Sequence, residues 1–405
     1  MSGTALRVVV VHNRYRSSMP SGEDRVVDRE IALLARAGHT VDLFERRSDD
    51  IAAMPLPRKA LVPLQVPWNG GAQAELAHLL RDRRPDVVHI HNTFPLLSPS
   101  VLAACVEAGV PAVATLHNYS LVCPVGTMVR DGAHCAECVE VASTRAVRHK
   151  CYRGSRLATV PAVISMATKR KWWLSGAVTL LCVSESQRAK LVASGVPGEK
   201  LGVKPHFVPD PGTRRSGSGE YVLYLGRMTE EKGLRLLMAA WDVFRAQGGP
   251  DIPLVMVGDG SMRQEVGDWA SARPGVSYLG LRSETECQDL LARSIALVAP
   301  STMEETFGLV VAEAMAAGVP VVAAGHGGFA DIVQDGVTGF LHEPNNVQAL
   351  VTALHRVSHD PSRNDAMGKA SRQAYEERFS PEIGLAALVR CYRTVMKQPD
   401  SSGPS

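Results

Sequence analysis

Apolar strands alternate with helical patterns along almost the whole chain, which predicts an α/β protein of two Rossmann-like domains facing each other across a cleft. Two further observations support this. One stretch at 209–220, PDPGTRRSGSGE, breaks the alternation with prolines, glycines and serines and reads as a linker. The strands after it end in turns rich in glycine and charge, where open parallel sheets bind ligands. A chain of 405 residues has room for two or three domains. Hydrophobic content of 45% with 21% charged residues describes a soluble globular protein, and a formal charge of +3 is too small to imply nucleic-acid binding. No apolar run reaches bilayer-spanning length, and a first strand opening at Leu6 leaves no room for a signal peptide. A cytoplasmic setting is therefore expected, with the eight cysteines mostly reduced.

In chain order, strands are expected at Leu6 to Val11, Thr40 to Phe44, Asp86 to His91, Pro111 to Leu116 and Val178 to Val183. Helical patterns lie between them at Asp24 to Ala37, Ala72 to Arg83, Ser98 to Ala108 and Ser186 to Ala193. These make an N-terminal domain over 1–208, with a cysteine-rich insertion at about 119–156. A second alternating series follows, a C-terminal domain over 221–379 whose last helices are expected at Val347 to His355 and Arg363 to Arg378. A final helix over 380–397 starts after Ser380 and Pro381, and the tail 398–405 has the composition of disorder.

The most informative stretch is PSTMEETFGLVVAEAMAAG, from Pro300 to Gly318. It follows the apolar strand Ile295 to Ala299, and Val310, Val311, Ala314 and Met315 then recur at helical spacing. A helix starting near Phe307 or Gly308 points free backbone N–H groups at whatever lies beyond the strand end, which suits phosphate. Gly308 lets a ligand approach the backbone, and Glu305 and Glu313, just over two turns apart, can reach different hydroxyls of one elongated ligand. A nucleotide-sugar has that layout. Taken alone, such acids are ordinary: one caps a helix and the other lies on a solvated face. The neighbours change that balance. Strand Tyr221 to Leu225 runs into Gly226, Arg227 and, five residues on, Lys232 and Gly233; another strand ends in Val257, Gly258, Asp259 and Gly260; and Gly327-Gly328 precedes Asp331, Gly336 and Gly339.

These four motifs in order, GR…EKG, VGDG, E-x7-E with FGLVVAEAMAAG, and GG…DIV…G…TGFL, resemble the C-terminal half of retaining GT-B glycosyltransferases of the glycosyl transferases group 1 class. The resemblance implies a nucleoside-diphosphate sugar donor held by Gly22, Arg227, Lys232, Gly258, Glu305, Phe307, Gly308, Leu309, Val310 and Glu313. Glu313 would hold ribose hydroxyls and Glu305 the hexose, and the last helix would cross back onto the first domain. Front-face attack with retention needs no side-chain nucleophile. Breaking the anomeric C–O bond loads charge onto the departing phosphate, which Arg227, Lys232 and the amides from Gly308 to Val310 can neutralise without a divalent ion. Two glutamates so placed cannot flank a scissile bond as a glycosidase pair does.

The first domain is expected to bring the hydroxyl acceptor. Its first strand ends in His12-Asn13-Arg14-Tyr15, followed by Ser21-Gly22-Glu23-Asp24, with one glycine where similar enzymes carry a glycine-rich turn. Two other strands end in His89-Ile90-His91-Asn92 and His117-Asn118-Tyr119-Ser120. By resemblance His117 lies beside the donor sugar and acts in catalysis with Arg227, Lys232 and Glu305; His12, Glu23, His91 and Asn118 are acceptor-side candidates. A lone histidine is more often a satisfied core group.

Cys123, Cys135, Cys138 and Cys151 form C-x11-C-x2-C-x12-C, with His134 and His149 nearby, and in a reducing setting this spacing points to a structural zinc, against the ordinary reading in which buried cysteines such as Cys123 simply pack. Arg145, Arg148, Lys150, Arg153, Arg156 and the run Lys169-Arg170-Lys171-Trp172-Trp173 read first as a solvated surface, and otherwise as a contact with an anionic acceptor or with anionic lipid at the inner face of a membrane. The reading is transfer of a hexose or N-acetylhexosamine in cell-envelope glycan or secondary-metabolite glycoside biosynthesis. Its rivals are a nucleotide-sugar 2-epimerase of the same fold and a non-catalytic nucleotide-sugar binding protein. An NAD-linked enzyme fits poorly, since no G-x-G-x-x-G follows the first strand.

Overall fold

The computed structural model describes residues 4–17, 21–139, 144–174 and 178–397, so the tail expected at 398–405 lies outside the described residues. The chain divides into two compact units. The first holds the chain to Arg130, His134–Lys204 and the stretch from Leu385; the second holds Pro205–Gly384 with Asp131–Ala133.

The first unit contains a six-stranded parallel sheet ordered Thr40–Arg47, Arg7–Arg14, Val87–Ile90, Ala112–Leu116, Val178–Cys182, Leu201–Val203. The second contains another, ordered Val276–Tyr278, Leu254–Val257, Tyr221–Leu225, Ser294–Ala299, Val321–Ala324, Gly339–His342. The central strands are apolar on both faces because helices cover both. Val8 to Val11 and Ser294 to Ala299 are buried without a break, as parallel sheets require. In each sheet the strand order reverses once. The reversal lies between Arg7–Arg14 and Val87–Ile90 in the first, and between Tyr221–Leu225 and Ser294–Ala299 in the second. There the connections leave in opposite directions, opening a crevice at the carboxyl ends.

Helix starts follow local chemistry. Asn69, Ser184, Asn346 and Asp360 each accept a hydrogen bond from a first-turn N–H, and Ser283 with Glu286 closes a full capping box. Several helices are absent from the sequence reading, and the two longest of them are Leu56–Gln65 and Arg156–Leu174. Each carries an internal proline, Pro63 or Pro161, which breaks the pattern that signals a helix. The 209–220 stretch is also less loose than its composition predicts. Asp210 pairs with Arg372 at 2.5 Å and Arg215 bonds Asn364, so side-chain charge anchors a segment whose glycines and prolines read as a linker.

Beneath the first sheet's crevice lies a buried polar core. Lys204 and Glu30, both almost fully buried, form an ion pair. His89 bonds the Tyr392 hydroxyl and Thr115 Oγ1, each at 2.8 Å, tying the final helix, Pro381–Val395, to this core. Burial pushes the His89 pKa down to about 4, with Glu30 opposing the shift, so the ring is neutral at physiological pH. Among the described residues, Glu30, His89 and His91 form the one group of three metal-ligating side chains whose ligand atoms lie within 4.8 Å of one another. Lys204 already answers the charge of Glu30, so the group is a buried ion pair among neutral rings. Removing one partner of a buried pair leaves the other charge uncompensated. Lys204→Met should therefore lose about 3–5 kcal/mol of stability in urea unfolding, and Lys204→Met/Glu30→Gln should regain most of it. An unchanged midpoint in the single variant would show that the pair contributes nothing.

Candidate functional site

At the second sheet's reversal, two loops are sewn together by glycine. Gly233 has φ 73°, and a Cβ there would lie 1.9 Å from the Pro300 carbonyl oxygen. Only glycine lets the loop after Tyr221–Leu225 reach the loop after Ser294–Ala299. Thr302 N then donates to Glu231 O at 3.0 Å. This contact delivers Lys232 to Glu305: Nζ donates to Oε1 at 2.5 Å, and Ser301 Oγ donates to the same oxygen at 2.7 Å. Burial alone would raise the Glu305 pKa, but Lys232 and Ser301 outweigh it and hold the carboxyl below its usual range. Glu305 is thus an ionised carboxylate in a partly enclosed site.

The GG motif has a similar physical reason. Gly328 N donates to Glu305 O at 2.7 Å, and a Cβ on Gly328 would lie 2.5 Å from Phe307 O. Gly308 has φ 111° and caps helix Leu309–Ala316, as expected; a Cβ there would strike the Phe329 ring at 2.4 Å. Leu309, Val310 and Glu313 remain half-exposed beside it. Gly258, at φ 142°, packs its Cα against Gly226 O, which stacks the VGDG turn on the GR turn. Arg227 is about half exposed (55%) and reaches Glu231 at 3.4 Å. Phe307 departs from expectation. Its side chain is 3% exposed and packs edge-on against His206 and Phe379, so it builds the loop from behind and offers a ligand no ring.

At the first sheet's reversal, a cavity of about 10 Å³ is lined by Glu23, His91, Asn92, Thr115, Leu116, His117, Asn118, Ser120 and Lys169. That volume admits one water or one hydroxyl group. His117 Nε2 meets His91 Nδ1 at 2.9 Å. Burial, then His89 and His117, holds His91 well below its ordinary pKa. His91 is therefore neutral and fixes the His117 ring from behind. His12 lies off the cavity, fully buried, with Nε2 2.7 Å from Asp24. Gly22 opens helix Gly22–Arg36, where Ser21 accepts from Glu23 N and so sets Glu23 at the cavity wall.

Lys169 is the site residue the sequence reading misplaced. Read as part of a surface run, it donates from Nζ to Ser120 Oγ at 2.9 Å and lies 4.1 Å over the Trp173 ring, which is fully buried. Its spacing of four from Trp173 was the available signal, because residues i and i+4 share a helix face; the hidden helix concealed it. Burial brings the Lys169 pKa down to about 8, Glu23 opposing. Burial pushes the Glu23 carboxyl up to about 7, against His12, the Tyr15 hydroxyl at 3.1 Å and Lys169. Two oppositely charged groups thus titrate near neutrality at one cavity.

The four cysteines are all partly buried free thiols. Burial, followed by Cys123, Cys151 and Cys135, pushes the Cys138 thiol up to about 11, so the four share one neighbourhood. No three of their sulfurs lie within 4.8 Å of one another.

Two family descriptions match the chain in series: Glycosyltransferase Family 4 over residues 20–210 and Glycosyl transferases group 1 over residues 211–374. The sulfoquinovosyl transferase SQD2 of Arabidopsis thaliana is 27% identical over 86% of this chain, which spans 64% of that relative's length. The 2-deoxystreptamine glucosyltransferase of Streptomyces kanamyceticus is 28% identical over 85% of this chain and 88% of its own. Among solved structures, a glycosyltransferase from Rickettsia africae ESF-5 matches with TM-score 0.69 at 16% identity, over 98% of this chain and 100% of its own. Anabaena Alr3699/HepE in complex with UDP matches with TM-score 0.66 at 18% identity, over 96% and 100%. Both show the fold.

The Glu23 carboxyl should titrate near pH 7 in 13C NMR and move higher in Lys169→Met, since that cation favours the ionised form. The folded protein holds this proton after the unfolded chain has released it. Stability should therefore fall as pH rises from about 4.5 to about 7, and Glu23→Gln should remove that slope. Titration below pH 5 would contradict the enclosed site.

Proposed function

Because the chain belongs to the glycosyl transferases group 1 family, with the GT-B fold, we propose that it moves a hexose or N-acetylhexosamine from a nucleoside-diphosphate sugar to a hydroxyl acceptor with retention. The observation that carries this reading is the ionised Glu305, gripped by Lys232 and Ser301 beside the capped start of helix Leu309–Ala316. A diphosphate entering there meets Lys232, the amides after Gly308 and the exposed Arg227 guanidinium. Glu305, in the loop before that helix, accepts sugar hydroxyls, and Glu313, on helix Leu309–Ala316, accepts from ribose. The Anabaena relative solved with UDP makes uridine the first base to try.

In the transfer step, the acceptor oxygen bonds to the anomeric carbon on the face from which the phosphate oxygen departs. The acceptor proton passes to that departing oxygen. Lys232 and Arg227 stabilise the growing diphosphate charge, which requires no divalent ion on this reading. His117, braced by His91, faces the sugar and steadies charge in the transition state. The reading also places the protein in the cytoplasm, peripheral to the inner face of a membrane; no helix among the described residues is long and apolar enough to cross one.

A thermal-shift panel of nucleoside diphosphates and their sugars tests this. Ligand at about 100 times its dissociation constant adds roughly 2.7 kcal/mol, and one base should give a shift that Arg227→Ala loses. Mass analysis then separates transfer from 2-epimerisation, which returns an isomer of the donor, and from silent binding. A chain that no nucleotide shifts is no donor-binding enzyme.

A further inference from the structure

The structure assigns an anionic lipid surface to a face built by helices Leu56–Gln65 and Arg156–Leu174. On Arg156–Leu174, Leu157, Val160, Ile164, Ala167 and Lys171 recur at i, i+3, i+7, i+10 and i+14, which puts them on one stripe. The stripe is open: Leu157 is 87%, Ile164 47% and Val160 39% exposed. Helix Leu56–Gln65 packs beside it, with Trp68 and Trp172 in ring contact at 5.3 Å. That helix buries Val62 and leaves Leu56 at 82%, Leu64 at 72% and Leu61 at 49% exposed. Six large apolar side chains in water on two adjoining helices mark an interaction site.

Charge selects the occupant. Neither helix contains an aspartate or glutamate, while Arg58, Lys59, Arg156 and Lys171 are all exposed along them, with Arg153 exposed in the turn before the second. Leucines that enter the acyl boundary beneath a basic rim fit a bilayer with anionic head groups. The basic run at 169–173 is not that surface, since Lys169 and Trp173 turn inward. This assignment deepens the peripheral placement above and rests on it, while being independent of donor chemistry.

Vesicles of phosphatidylcholine with about a third phosphatidylglycerol should sediment the full chain at low salt and release it at high salt, and pure phosphatidylcholine should bind far less. Leu64→Glu/Leu157→Glu, at two open positions, should cut the bound fraction at least about tenfold while leaving nucleotide-induced thermal shifts unchanged. No sedimentation with anionic vesicles, or equal sedimentation by the variant, overturns the assignment. A variant that changes only the oligomeric state would show a protein interface instead, which also overturns it. Loss of nucleotide shifts in the unmodified chain, with lipid binding intact, would sink the transferase reading alone.

An independent observation concerns the cysteines. Among the described side chains from Val129 to Ser155, only Ala146 is buried, too little apolar burial to order a segment of that length. Yet Met128, Asp131, Lys150 and Arg153 all hold left-handed backbone, a conformation that disfavours side chains unless something fixes it. We propose that Cys123, Cys135, Cys138 and Cys151 bind one zinc ion that fixes it. Four thiolates complete a tetrahedral set without either nearby histidine, His134 or His149. Zinc–sulfur bonds of about 2.3 Å put the four sulfurs about 3.8 Å apart, so binding would bring the loops that carry them together. The ion would join Cys123, just past the cavity residues Asn118 and Ser120, to Cys151, just before the helix that carries Lys169.

Protein purified without chelators should hold about one zinc per chain, Cys135→Ser/Cys138→Ser less than about a tenth, and His134→Ala and His149→Ala the full amount. If the cysteine variant fails to fold, titrating the native protein with a mercurial should release zinc in step with four thiols. Zinc below about a tenth per chain from zinc-supplemented cells, or a mass showing disulfides, rejects the site.

Discussion

A parallel sheet covered by helices on both faces has one free edge, where the strands end and the loops begin, and that constraint governs both candidate sites. Interior strands such as Val8 to Val11 and Ser294 to Ala299 have no solvent face to offer. Ligand chemistry must therefore collect at the carboxyl ends, and it collects where the strand order reverses. In the second unit this brings the strand-end loops of Tyr221–Leu225 and Ser294–Ala299 together around Lys232 and Glu305. In the first it gathers His91, His117 and Glu23 around a cavity of one hydroxyl's size.

What the sequence disclosed follows from the same constraint. Strand ends, glycine turns and charged residues at fixed spacing are local signals, so Arg227, Lys232, Glu305 and Gly308 could be read directly. The reasons for the glycines could not. Gly233 against Pro300 O and Gly328 against Phe307 O are contacts across distant chain segments, and spacing carries no trace of them. Phe307 shows the same limit: its spacing sets it beside the ligand-facing turn, and only packing shows that its ring turns back to His206.

Lys169 and the Lys204–Glu30 pair show the other limit. Charged residues read as surface by default, because burial is costly without a partner. Lys204 lies 174 positions from Glu30, beyond any periodic pattern. Lys169 sits on a helix that Pro161 hides, and a residue cannot be assigned a face before its helix is known. Prolines misdirect in this chain because Pro63 and Pro161 fall inside helices, where proline ordinarily signals a break.

The two reversal sites also manage charge in opposite ways, and that difference fits the proposed division of labour. Around Glu305, burial is overruled by Lys232 and Ser301, and the carboxylate stays charged. Such a site suits a donor whose diphosphate charge must be met by fixed charges, since reorganising them during bond cleavage would raise the barrier. Around Glu23, burial prevails over Lys169 and the other groups that favour the ionised form, and Glu23 and Lys169 both move toward neutrality. A cavity of near-neutral, hydrogen-bonding groups suits an uncharged hydroxyl, which must keep its nucleophilic lone pair while its proton is held. The same folding rule, a crevice at a reversal of strand order, thus yields one site suited to charge and another suited to a neutral oxygen, and the buried partners beneath each decide which.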